Sequence, residues 1–415
     1  MITFIMLKKS FRIFALVLAG EVVFLLPFVL IRVFRPTFLK VFQITNFELG
    51  SAFATYGVVA MISYFFGGPL ADRYSARKLV SLSLIITSLG GIFMASVPSM
   101  STLIVLYGFW GLTTILLFWA AFTKATRLTG GDKNQGNTFG LVDGGRGLIV
   151  ALLASGSVLI LGSFLPENVE SASIGELSNA LSMVIIAFSV VTFLTAGVTW
   201  VTIEDIDNKK IITEKISWKG VKNVVNKRSI WQQSLILLCA YVGYKCTDDF
   251  SLFASEVLLF NDVNAAHAAT VAFWSRPFAA ISAGYLGDRF GHSKMTAICF
   301  GLIIIGSLII YSGLLKPGLE LGALLILAST GAAIFGLRGL YYALFQESKV
   351  PVAYTGSAVG VVSVIGFTPD IFFGPMMGYI LDSSPGAAGH ENLFGILSLF
   401  SLIGLLTALN FRSKP

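Results

Sequence analysis

Twelve apolar runs fill nearly the whole chain, near 10–31, 47–70, 78–97, 101–123, 137–164, 177–201, 231–259, 266–287, 294–314, 319–344, 354–381 and 392–411. A helix that crosses the hydrocarbon core of a bilayer needs about 20 mostly apolar residues. Backbone in lipid must also satisfy its own hydrogen bonds, so segments of this length become helices. The pattern therefore predicts an all-α integral membrane protein with twelve transmembrane helices and no soluble domain left over. Composition agrees: of 415 residues only 12% are charged and the mean hydropathy is +0.82, against about 25% charged residues in a soluble domain. The first run follows Lys8, Lys9 and Arg12 as a signal peptide would. Its length, Glu21 and the lack of a small-residue cleavage pattern before Arg32 predict a retained first helix instead. Met6 makes the first five residues a candidate frayed or artefactual start.

The loops give the orientation, because positively charged loops stay cytoplasmic. Alternating them from a cytoplasmic N-terminus puts Lys8, Lys9, Arg12, Arg73, Arg77, Lys78, Lys124, Arg127, Lys133, the lysines and arginine of 209–228, Arg289, Lys294, Lys349, Arg412 and Lys414 on one side. The other side receives Arg32, Arg35, Lys40 and Lys316. Both termini are expected in the cytoplasm, in a multi-pass protein of the cell inner (plasma) membrane. The net charge of +7 is thus a topology signal, and no nucleic-acid partner is expected. Between runs six and seven lies the one long polar stretch, "EDIDNKKIITEKISWKGVKNVVNKRS", whose "SWKGVKNVV" part has the basic amphipathic character of a membrane-surface helix. Cys239, Cys246 and Cys299 fall in apolar runs, and His267, His292 and His390 at run ends, so neither a disulfide framework, a metal site nor a histidine cluster is expected.

"GGPLADRYSARKLV" (67–80) packs charges and glycines between two apolar runs, and it has a counterpart in "AGYLGDRFGHSK" (283–294). Gly68, Asp72, Arg73 and Lys78 match Gly284, Asp288, Arg289 and Lys294 at an offset of 216. "GNTFGLV" (136–142) matches "GSAVGVV" (356–362) at 220, which argues for a duplicated six-helix unit. A Gly-x-x-x-Asp-Arg loop between helices 2 and 3, repeated between helices 8 and 9 of a twelve-span chain, resembles the major facilitator superfamily. The likeness covers the whole chain; Ser75 stands where the first copy would carry a glycine, and Gly291 keeps it in the second. "KATRLTGGDKNQGNTFGLVDGGRGL" and "ITNFELGSAFATYGVVAMISYFFGGPLADR" look most like its organic-anion and sugar-phosphate permeases, with nitrate carriers a more distant branch. The resemblance implies two pseudo-symmetric six-helix bundles, 1–201 and 230–415, joined by a cytoplasmic linker at 202–229. It also implies a cytoplasmic gate of Gly68, Asp72, Arg73, Lys124, Arg127, Gly284, Asp288 and Arg289. There Asp72 would meet the start of helix 11 and pair with Lys124 or Arg127.

Charges inside the apolar runs mark function by default, since one at a helix centre costs about 2.5–3.5 kcal/mol on insertion scales. Arg146, Lys245, Arg276 and Arg338 are the cations; Glu21, Asp143, Asp248, Asp249 and Asp370 are the anions. Asp143 with Arg146, and Lys245 with Asp248 and Asp249, share helix faces and can pair locally. Arg276, Arg338 and Glu21 have no such local partner. In the family resembled, helices 1, 5, 7, 8 and 10 line or flank a central cavity, so the cations there suit an anionic substrate held by arginine forks. The expected substrate-binding set is Arg276, Arg338, Lys245, Arg146, Tyr244, Trp274 and Tyr56, with Tyr64, Trp110, Trp119 and Tyr241 as further candidate lining. Glu21 is the first proton-coupling candidate, with Asp143 and Asp370 as alternatives. The function expected is secondary active transport, by a monomeric chain, of a small organic anion (a sugar phosphate, sugar acid or similar carboxylate) by alternating access, coupled to protons or else to sodium. Rivals of the same fold are a drug-type or anionic-compound efflux pump and a nitrate-like inorganic anion carrier. "GDKNQG" lacks the lysine-serine ending of a phosphate loop and no catalytic arrangement is present, so neither an enzyme, a cofactor nor ATP-driven transport is expected.

Overall fold

The first helix is longer than the apolar pattern predicts. In the computed structural model, which describes residues 2–130, 135–205, 224–347 and 355–411, α1 runs Ile2–Val22, a π-helical turn Leu25–Val29, then Leu30–Phe42. Pro27 has no N–H to give the helix ladder, and the wider turn absorbs the loss. Phe34 (φ −116, ψ 28) bends the helix again just before Pro36. Arg32 and Arg35, expected in a loop, are therefore inside the helix and only 2% and 1% exposed. The pattern failed here because Arg32 is paired with Asp248 of the opposite half and Arg35 is hydrogen-bonded to Asn46 and the Asp248 carbonyl, partners invisible to a hydropathy window.

Eleven helices follow: α2 (Asn46–Arg73), α3 (Ala76–Met94), α4 (Met100–Gly130), α5 (Gln135–Ser163), α6 (Ile174–Thr202), α7 (Arg228–Cys246, continuing as Phe250–Glu256), α8 (Asp262–Phe290), α9 (His292–Tyr311), α10 (Glu320–Leu340), α11 (Thr355–Gly366 and Pro369–Ser383) and α12 (Ala387–Leu409). Thr45 with Glu48, and Ser173 with Glu176, form capping boxes that start α2 and α6. Among the described residues, ten of the helices are long and apolar enough to cross a membrane. The two that fall short, α7 and α8, carry Lys245, Asp248, Asp249 and Arg276. The surface helix expected at 217–225 lies almost wholly outside the described residues.

Two six-helix bundles result. In the first, α3 packs on α6, α2 on α4, and α1 on α5 and α6; in the second, α9 packs on α12 and α10, α8 on α10, and α7 on α11 and α12. The bundles meet along α2–α11, α5–α8 and α1–α7. The end bearing the α2–α3 and α8–α9 loops is termed the basic face, and the other the opposite face.

At the opposite face the bundles are bound together. A Cβ on Gly378 would lie 2.3 Å from the Asn46 carbonyl oxygen, and one on Gly57 2.5 Å from that of Asp370, so α2 and α11 touch backbone to backbone. The Asp382 carboxylate accepts from the Asn46 and Phe47 amides at 3.1 and 2.7 Å, at the start of α2. Asp262 accepts from Thr37 at 2.8 Å and Lys40 at 2.9 Å. Towards the basic face such contacts give out: a methyl added at Gly68, Gly284 or Gly360 would meet nothing within 4 Å.

The described contacts of the gate residues at the basic face lie within their own bundles. Asp72 is exposed and makes no hydrogen bond or ion pair with a described residue. The Lys124 ammonium donates to the Ala71 carbonyl at 2.8 Å, within its own bundle. Arg127 is exposed, and Arg73 and Arg289 lie against their neighbours Tyr74 and Phe290. Asp288 pairs with His292 at 3.2 Å. Arg77 pairs with Asp205 at 2.8 Å. The Ser75 hydroxyl, then Arg77 and Lys78, hold the Asp205 carboxyl below the usual carboxylate range.

Candidate functional site

Two groups of charges occupy the middle of the molecule, where α1, α5, α7, α8, α10 and α11 converge. The first is built on Glu21 of α1. Arg276 of α8 donates to it from both terminal nitrogens, at 3.0 and 3.4 Å, and Arg146 of α5 from Nε at 3.1 Å. Arg146 also reaches Asp143 at 3.3 Å. Gly147 allows this close approach, because its Cβ position lies 3.2 Å from the Arg276 side chain and from Pro277.

This arrangement changes two sequence expectations. Arg276 and Glu21, which have no partner on their own helices, are each other's partner across the two bundles, so Arg276 is paired in this arrangement. Glu21 is likewise shared by two guanidiniums, which favour its ionised form in this arrangement. Neither fact is visible in the sequence, since the residues are 255 positions apart.

The second group centres on Asp248, at a short 3₁₀ break in α7, Thr247–Asp249. Arg32 of α1 donates from Nε to Asp248 at 2.6 Å and from Nη1 to the Tyr244 hydroxyl at 3.0 Å. Lys245 lies 3.4 Å from Asp248 and 3.6 Å from Asp370 of α11, over the rings of Phe28 and Phe53 at 4.8 and 4.7 Å. The Tyr241 hydroxyl donates to both oxygens of Asp370, at 3.1 and 3.0 Å. Arg32 is the functional candidate that the loop assignment missed. It lies 216 residues before Asp248, the offset of the Asp72 and Asp288 loops, as expected where a pseudo-two-fold axis brings a position against its own counterpart.

Arg338 of α10 stands between the groups. Its guanidinium lies 4.1 Å from the centre of the Tyr244 ring, against which Arg32 also stacks at 4.4 Å, and it makes no ion pair with a described residue. Arg338, Asp370 and Asp143 are partly exposed, whereas Arg32, Glu21, Lys245, Arg146 and Arg276 are buried.

The aromatic candidates divide. Tyr241 and Tyr244 belong to the site, with Phe335 and Phe367 beside them. Tyr56 is buried beneath it, sharing a hydrogen bond with Thr114 at 2.7 Å and meeting Phe28 edge-on. Trp274 was expected to line the cavity, but its indole donates to Ser155 across the α5–α8 contact at 3.0 Å. Trp110 is packing inside the first bundle, bonded to the Thr87 carbonyl, while Trp119 touches Phe24 and Tyr64 is exposed on α2. His390 sits in the first turn of α12, at the run end where it was expected, but is fully buried there and bonded to Asp249.

Two six-helix bundles with charged groups at their shared centre define the class of a membrane transporter. The Major Facilitator Superfamily pattern matches residues 17–373, and the chain belongs to that family. It is 28% identical to the inner membrane protein YqcE of Escherichia coli over 90% of this chain and 87% of that one. It is 24% identical to the inner membrane protein YihN of the same species, over 97% and 95%. Among solved structures, a bacterial homologue of the lysosomal transporter Spinster, in an inward-facing and unoccupied conformation, gives a TM-score of 0.70 at 17% identity over 98% of this chain and 99% of that one. The nucleoside transporter NupG gives 0.70 at 14% identity, over 99% of both chains. At these identities the two structures share the fold alone.

Proposed function

We propose that the protein is a secondary active transporter that carries a small organic anion together with protons by alternating access. One observation supports the anion: of the five cations of the two groups, Arg32, Arg146, Lys245, Arg276 and Arg338, Arg338 alone makes no ion pair with a described residue. A guanidinium stacked on an aromatic ring keeps its fork free for a carboxylate or phosphate. The basic face is the cytoplasmic one, because positive loops stay inside. With Arg32 and Arg35 inside α1, the opposite face keeps only Lys40 and Lys316 from the sequence-based set, which sharpens the asymmetry. The arrangement described here, bound at the opposite face and open near Gly68 and Gly284, is then inward-facing.

The proton site moves from Glu21 to Asp370. Asp370 is held by one shared hydroxyl and a lysine at 3.6 Å, with 15% of its side chain exposed. Protonating it would release Lys245 for substrate or for Asp248. Asp143 is the alternative, being half-exposed beside Arg146. A neutral ring-shaped substrate is the second reading, favoured by the aromatic faces of Tyr241, Tyr244 and Phe335.

Uptake into proteoliposomes of sugar phosphates, sugar acids, other organic anions, nitrate and nucleosides, under imposed proton or sodium gradients, tests the proposal. An organic anion should accumulate with a proton gradient. Asp370→Asn should lose accumulation yet keep exchange of labelled for unlabelled substrate. Nucleoside uptake, or accumulation driven by sodium alone, would overturn it.

A further inference from the structure

Three cations of α1 lean on the other bundle. Arg32 is paired with Asp248 of α7, and the Lys40 ammonium lies 2.9 Å from Asp262 of α8. Arg35 stands between them, 1% exposed and without an ion pair to a described residue. Its Nε and Nη2 both donate to Asn46 Oδ1, at 3.0 and 2.8 Å. Its Nη1 has the Asp248 carbonyl at 3.5 Å and the Met377 sulfur of α11 at 3.7 Å. A buried ion held by neutral groups alone is costly, and inside a membrane such a charge marks a functional site by default.

Separating the bundles at the opposite face would divide these contacts unequally. Alternating access moves the bundles largely as rigid bodies, so Asn46 stays with α1 while Asp248, Asp262 and Met377 leave. Asp248 keeps Lys245 of its own bundle, at 3.4 Å. Arg32, Arg35 and Lys40 keep no charged partner from these contacts. Two carboxylates of the first bundle lie at this face. Glu48 is engaged with the Thr45 amide at 2.8 Å, and Glu170 lines the surface cleft that Lys40 shares with Asn261 and Asp262. Glu170 offsets at most one of the three charges. Eight residues of helix rise about 12 Å, so the stranded cations line a path from the opposite face to the central groups.

We propose that Arg35 and Lys40 form an anion-entry site, present only while the bundles are apart at the opposite face. The site takes a carboxylate or phosphate from solution there and passes it inward past Arg32 towards Arg338. Asn46 holds two nitrogens of Arg35 and so orients the guanidinium, while Nη1 is the group that opening sets free. A guanidinium with a free N–H binds such oxygens through short, charge-assisted hydrogen bonds. In the closed arrangement the Asp248 carbonyl and the Met377 sulfur take the place of the anion. Lys40, half-exposed in the cleft beside Ile174 and Leu259, is the outer member of the site.

The site rests on the anion reading above, but its test uses no substrate, so the two can fail separately. Leu39→Cys places a thiol one turn from Arg35 and next to Lys40, in a chain whose three native cysteines are buried. In vesicles with the opposite face outward, this thiol is offered two methanethiosulfonates, the anionic sulfonatoethyl and the cationic trimethylammonioethyl compound. Each rate is divided by that for a free small thiol. In a Lys40→Gln background the anionic reagent should react faster by about fivefold, since a unit charge one turn away acts with opposite sign on the two reagents. Arg35→Gln, whose amide still donates to Asn46, should bring the two rates together, and Arg35→Lys should keep them apart. No labelling from that face, equal rates with Arg35 in place, or the same preference in Arg35→Gln overturns the proposal. Should Arg35→Gln not fold, the two reagents compared with Arg35 in place decide alone: a preference for the anionic one supports the site, and equal rates overturn it.

Discussion

Replacing Glu21 by alanine removes a carboxylate that two guanidiniums share at the centre of the membrane. Its side chain is 4% exposed, and those of Arg276 and Arg146 are 6% and 8%. One unit charge attracts another at 4 Å by about 4 kcal/mol at an effective dielectric of 20. Most of that attraction offsets the desolvation of the ions, so the intact group adds little to stability. Removing one member instead strands buried charge, which costs about 3–5 kcal/mol. Glu21→Ala should therefore lower the melting temperature of the purified protein by about 6–10 °C, at about 2 °C per kcal/mol for a large chain. Asp143 limits the loss by retaining Arg146, so most of the effect belongs to Arg276. The double variant Glu21→Ala, Arg276→Ala should then be more stable than Glu21→Ala alone, because the stranded cation has gone with its partner. Additive losses in the double variant, or an unchanged melting temperature in the single one, would refute the assignment of Glu21 as a structural ion.

Two further variants test how the bundles move. Gly378→Val should force α2 and α11 apart, since even a Cβ there lies 2.3 Å from the Asn46 carbonyl oxygen; cysteine labelling from the opposite face should rise, and unchanged labelling would contradict the close packing. Asp72→Asn should favour the basic-face-open arrangement by weakening the latch expected in the other state. Labelling of Tyr241→Cys from the basic face should then increase while the melting temperature stays within about 1 °C of the parent, as for other exposed substitutions.

The sequence carried the architecture because lipid leaves few choices. Segments long enough to cross had to be helices, and loop charges ordered them. Where charge entered a helix the same logic lost its grip. Arg32 and Arg35 ended the first apolar run on paper, yet α1 continues to Phe42 because Asp248 and Asn46 receive them. Arg276 and Glu21 were each marked as functional for lack of a neighbour three or four residues away, but the partner came from the other bundle. His390 met Asp249 inside the second bundle, 141 positions away in the sequence. One of these pairs did leave a trace, since the repeat offset of 216 that links Asp72 to Asp288 also links Arg32 to Asp248. Such an offset marks positions that face each other across the pseudo-two-fold axis. Pairs off that axis leave none.

The central claim, that Arg338 gives the cavity one positive charge to spend on an anion, is tested most directly by equilibrium binding to purified protein. The panel of sugar phosphates, sugar acids, other organic anions and nucleosides should be titrated against the parent protein, Arg338→Lys and Arg338→Ala. Losing one partner of a desolvated charged hydrogen bond costs about 2–5 kcal/mol, so an organic anion that binds the parent should bind Arg338→Ala more weakly by over tenfold (about 1.4 kcal/mol per tenfold). Arg338→Lys should restore part of the affinity, since it keeps the charge and loses the fork. A nucleoside that binds all three proteins equally, with no anion bound by any of them, would contradict the claim.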